Sequence, residues 1–113
     1  MTDEAFKTLC NDLLINERVI FDWKAADYTD ADHLQNFKEV AAFLDMRSSE
    51  VALTYLLKHI QSISLAVRRQ RYNWGWETKD GEGLKQRIAD ARNYLLLLAA
   101  CIEEEVKSNE VDR

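Results

Sequence analysis

The chain contains no proline, and its three glycines, Gly75, Gly81 and Gly83, fall within one nine-residue stretch. Proline removes a backbone N–H and clashes with the preceding helical turn, while glycine costs helix entropy, so these are the two residues that most reliably interrupt a helix. A chain that confines its breakers to one place can be helical nearly everywhere else, with one principal loop. Apolar spacing tells where the helices lie. Phe6, Leu9, Leu13, Val19, Ile20 and Trp23 recur every three or four residues behind Asp3 and Glu4, whose charge suits a helix N-terminus, which predicts a first helix over about 3–26. The segment 27–32 (DYTDAD) is rich in side chains that bond nearby backbone and reads as a turn, with Asp30 or Asp32 as the next N-cap and a second helix over about 32–45.

Ser48 or Ser49 is placed to cap a third helix, whose stripe Leu53, Leu56, Leu57, Ile60, Ile63 and Val67 keeps the 3.6-residue period to about Tyr72. Arg68, Arg69 and Arg71 then fall where the negative end of the helix dipole favours cations. A loop over 73–81 and a fourth helix over about 83–107 complete the chain, and 103–113 reads as a polar tail that frays. From Tyr94 to Ile102 the fourth helix is apolar on every side, which a helix with only two neighbours cannot bury within one small domain. The expectation is therefore a single all-α domain over residues 1–113, a four-helix antiparallel bundle that forms a homo-oligomer through its apolar C-terminal helix.

Composition limits the function classes. With 113 residues, 47% hydrophobic, and a net charge of −5, the chain suits one folded domain and not a general DNA binder. Its longest apolar run is far short of the roughly 20 residues that span a bilayer, and no basic segment followed by an apolar one opens the sequence, so a cytoplasmic protein without membrane partners is expected. Cys10 and Cys101 share no metal-binding or redox spacing and read as buried reduced thiols.

Three groups of residues carry possible chemistry. Lys24, Asp27, Tyr28, Asn36 and Phe37 join a helix end to the start of another, where free N–H groups and a lysine suit an anion; the same residues equally serve a capped turn with a solvated lysine. Lys58, His59 and Ser62 interrupt the third helix's stripe, and Arg87, Asp90, Asn93 and Tyr94 share one side of the fourth; these are either a pocket floor or a surface ion pair beside a core histidine. Arg69, Tyr72, Trp74 and Trp76, with Arg68 and Arg71, combine guanidinium forks with indole faces, which suit phosphates and bases, or else pack over the bundle end or against a partner protein. No Gly-rich phosphate loop, nucleophile elbow or HExxH helix is present.

The order Lys24-x-x-Asp27-Tyr28, Asn36-Phe37, Leu56-Leu57-Lys58-x-Ile60 and Asp90-x-x-Asn93-Tyr94 before a Leu-rich helix resembles small phage-encoded helical proteins of the nucleotide-modification-associated kind. These are similar to the MazG-like all-α nucleoside-triphosphate pyrophosphohydrolases, in which acidic residues on adjacent helices hold Mg²⁺ against a triphosphate. The resemblance spans about residues 20–104 and implies Glu50 and Asp90 as metal ligands, with Leu53 or Thr54 and Arg87 standing where further acids would be. Three functions follow as expectations. The first is a phage-type protein binding a nucleotide or nucleotide-derived ligand in a polar inter-helix pocket, with Lys24, Lys58 and Arg87 on phosphate and Tyr28 or Tyr94 near the base. The second is a Mg²⁺-dependent nucleotide pyrophosphohydrolase. The third is an interaction module that inhibits a host protein through the Trp74/Trp76 loop.

Overall fold

A computed structural model describes residues 1–25, 32–78 and 81–109. Among them are four helices, α1 (Asp3–Ala25), α2 (Gln35–Leu44), α3 (Ser48–Arg69) and α4 (Leu84–Asn109), and a small antiparallel hairpin of β1 (Glu77–Thr78) and β2 (Gly81–Glu82). The molecule is an all-α bundle, and no described helix is long and apolar enough to cross a membrane.

Each boundary has a local cause. Thr2 Oγ1 accepts the Ala5 N–H at 3.0 Å, so a threonine caps α1 ahead of the acidic first turn. Asp32 is not the N-cap of α2: its carboxylate accepts the Leu34 N–H at 2.9 Å, closing a turn that delays the helix to Gln35. Asp30 and most of the expected turn lie outside the described residues. Nor does a serine cap α3. Arg47 takes that position, and Glu50 Oε1 receives both its N–H and its Nε at 3.1 Å, while Ser48 and Ser49 sit inside the first turn. Gln70, with φ 54°, ends α3 in the left-handed conformation, short of the expected Tyr72, and so Arg71 lies beyond the helix. The loop after it holds the hairpin, which alternating apolar residues did not announce. The expected tail is helical as far as Asn109.

α3 and α4 pack antiparallel, as shown by Ser49 N–H donating to Glu105 at 3.1 Å near one end and Arg87 donating to Ser62 at 2.8 Å towards the other. α2 lies across both. Phe37, Tyr55 and Tyr94, one from each helix, meet with ring centroids 5.8–6.2 Å apart in tilted and edge-to-face contacts. Around them the core gathers Leu34, Ala41, Val51, Ala52 and Cys101. The small side chains let the backbones approach, and Ala52 is wholly buried. Lys38 on α2 bridges Asp32 and, at 3.2 Å, Glu104 on α4. α1 crosses the first half of α4, held by Arg92 Nε to both Glu17 oxygens at 2.9 and 3.0 Å.

Candidate functional site

α4 supplies the centre of the site. Asp90 is only 7% exposed and accepts a hydrogen bond from Gln86 Nε2, one turn earlier, at 3.1 Å. Asn93 follows on the next turn, and its Oδ1 is buried with no hydrogen-bond partner among the described residues. Tyr94 stacks on His59 of α3 at 4.9 Å between ring centres. Where α2 crosses α3 and α4, Asp90, Asn93, Tyr94 and His59 line a cleft of about 360 Å³. Asn36 and His33 close it from the α2 end, Phe37 and Tyr55 form an aromatic wall, and Glu82 of the hairpin stands at its edge. A second hollow of about 330 Å³, between α1 and α4, opens on the other side of Asp90 and Asn93 and is walled by Leu14, Ile20 and Leu96.

The cleft therefore joins three of the expected ligand-binding residues, Asn36, Asp90 and Tyr94. It does not contain the expected phosphate cradle. Lys58 is exposed, its Nζ 5.6 Å from the Tyr55 ring centre, and does not line the cleft. Arg87 turns instead to Ser62. Periodicity placed these cations on the correct helices, but a helix position adjoining a cleft is not the same as one facing it. The Lys24 side chain, Asp27 and Tyr28 lie outside the described residues.

The expected metal pair is also separated. Glu50 is engaged by Arg47 at the start of α3, which draws its carboxyl below the ordinary value through the Arg47 N–H and then its side chain. Asp90 lies near the level of Ser62, roughly 18 Å further along α3 at 1.5 Å per residue. Carboxylates binding one Mg²⁺ approach it to about 2 Å, so this pair does not share an ion. No group of three or more acidic, histidine or cysteine side chains among the described residues is arranged to hold a metal.

In the glycine loop the two tryptophans part company. Trp74 is half exposed beneath Lys85, whose Nζ is 5.1 Å from its ring centre, and Arg69 and Tyr72 are exposed. Trp76 is half-buried and lines a hollow with Asn16, Val19 and Ile20 of α1 and Gln86 of α4. The two rings thus differ in exposure. Tyr55 and His33 were missed as cleft residues because each lies on a different helix or turn from Asp90, and nothing in their own spacing links them. The legible signal was on α4, where Arg87, Asp90, Asn93 and Tyr94 repeat at three- and four-residue intervals; of these Arg87 turns to Ser62, and Gln86, which donates to Asp90, was not singled out. No family model matches the chain, and no curated protein or solved structure is significantly similar to it.

Proposed function

We propose that this protein binds a small molecule carrying an amino-substituted aromatic ring, a nucleobase or nucleoside, in the cleft between α2, α3 and α4. The observation that carries this reading is that Asn93, whose buried Oδ1 has no hydrogen-bond partner among the described residues, and the buried Asp90 one turn earlier both line a cleft walled by Phe37, Tyr55, Tyr94 and His59. A buried acceptor without a donor costs about 1–3 kcal/mol, which a ligand's N–H groups would recover. The rings offer a face on which a base stacks, and the volume lies in the range of small-molecule sites. The nucleotide-like ligand expected from the sequence is kept, but its recognised part moves from phosphate to base, because neither Lys58 nor Arg87 lines the cleft. The host-factor reading rests on the exposed Tyr72 and Trp74 alone.

Titration calorimetry and thermal shift with adenosine, guanosine, cytidine and their monophosphates, beside ribose 5-phosphate, test the proposal. One nucleoside should bind within a few-fold of its monophosphate, and ribose 5-phosphate should not bind. A hundredfold excess over Kd should add about 2.7 kcal/mol of stability. Asp90→Asn should weaken the nucleoside by at least about tenfold, the value of roughly one charge-assisted hydrogen bond, while Lys58→Ala should leave it unchanged. If no nucleoside shifts the melt, or if ribose 5-phosphate binds as well as the monophosphates, the base-reading cleft is refuted.

A further inference from the structure

α3 carries a second apolar stripe in addition to the one it buries. Leu53, Leu57, Ile60 and Val67 repeat at four, three and seven residues, with Ser64 completing the heptad pattern. All four are 44–55% exposed. On α4, Leu95, Ala99 and Ile102 form a matching exposed row at four- and three-residue spacing.

The two rows belong to one surface. At 100° per residue, the side of α3 that meets α2 carries Tyr55, and the side that meets α4 carries His59, with the buried Ala52 and Leu56 on the same side. Turning further in the same direction reaches Leu53, Leu57 and Ile60, away from α2. On α4 the order runs from Cys101 and Glu104, near α2, through Tyr94 and Glu105, near α3, to Leu95, Ala99 and Ile102. Both rows therefore face the side of the α3–α4 pair opposite α2, and none of the positions in them is charged.

The exposed area indicates what should cover this surface. The chain exposes 8596 Å². A compact monomer of 13.2 kDa exposes about 6,400 Å² by the usual mass scaling, so the chain as a whole, with the residues outside the described ones counted, exposes roughly 2,200 Å² more. Obligate dimer interfaces bury 2,000–5,000 Å² in total, about half from each subunit, so the excess is of the size one subunit contributes.

We infer that a second copy of this chain docks on the α3–α4 face, joining the two helix pairs about a two-fold axis into an intermolecular four-helix bundle. A self-complementary apolar face is what an isologous interface requires. The inference does not rest on the ligand reading, since the face lies opposite α2 and outside the cleft. Sedimentation velocity and light scattering on the full chain should give about twice the 13.2 kDa chain mass at micromolar concentration. Leu57→Glu should yield a helical monomer by circular dichroism, whereas Phe43→Glu, at an 89%-exposed site on α2, should remain dimeric. Because Leu57→Glu is open to misfolding, a benzophenone side chain at Gln61, on the rim of the stripe, supplies a second readout, and it should photo-crosslink one copy to another. A monomeric wild type at 100 µM, a dimeric Leu57→Glu, or no inter-chain crosslink from position 61 would each overturn the inference.

Discussion

Gly83 shows how much one residue can hold. A Cβ placed there would run into the Gly75 carbonyl, and the Gly83 N–H donates to Trp76 O at 2.7 Å, so the loop closes on α4 only because this position has no side chain. Gly83→Ala should cost about 1–3 kcal/mol in urea denaturation, the usual penalty of overpacking. Charge acts at the same scale. Lys38 donates to Asp32, which with the Leu34 N–H holds the Asp32 carboxyl below its ordinary value, while Asp32 and then Glu104 raise the Lys38 ammonium. A depressed carboxyl contributes stability above its unfolded pKa, about 3.9 for Asp, and loses it as pH falls through the lower folded value. Glu50 has the same sign. Melting temperature should therefore drop as pH falls below about 4, and Asp32→Asn should flatten that slope. Lys38 works in reverse, since its contribution persists up to the ordinary lysine range and fades only as pH rises through the raised value. Cys101 is buried, and burial followed by Glu105 pushes its thiol up, so maleimide should modify half-buried Cys10 first.

Among the elements, α2 is the shortest helix yet holds the core, because Phe37 reaches both Tyr55 and Tyr94. Phe37→Ala should cost about 3–5 kcal/mol in chemical denaturation, whereas Phe43→Ala on the same helix should change stability little. The glycine loop divides in the same manner. Trp76→Ala, at a half-buried site, should lower the melting temperature more than Trp74→Ala at a half-exposed one. Equal losses from both substitutions would contradict the difference in burial of the two rings.

At the scale of the whole molecule, the separate chain is not closely covered. If a second copy supplies the missing cover, unfolding is coupled to dissociation and the melting temperature must rise with protein concentration. A concentration-independent melt over a hundredfold range would argue for a stable monomer. Nucleoside binding is a separate matter, because the cleft is completed by α2, α3 and α4 of one chain. Ligand and dimer can therefore fail independently, and each failure would be read on its own measurement.

Number and extent of helices were already written in the sequence, because helix formation is local. The absence of proline, the confinement of glycine and the 3.6-residue stripes locate α1, α3 and α4 to within a few residues. The ends depended on contacts that spacing does not carry: Arg47 displaced the serines as the cap of α3 because Glu50 could reach its N–H, and Asp32 held a turn where a helix start was expected. Of the site, the α4 row was legible because its members share one helix face. Which cations joined it was decided by packing, since a helix face sets direction only within the helix. The angle at which α2 crosses α3 and α4 encloses Asp90 and Asn93 with three aromatic rings and leaves Lys58 in water, and that angle is set by the fit of side chains from distant parts of the chain.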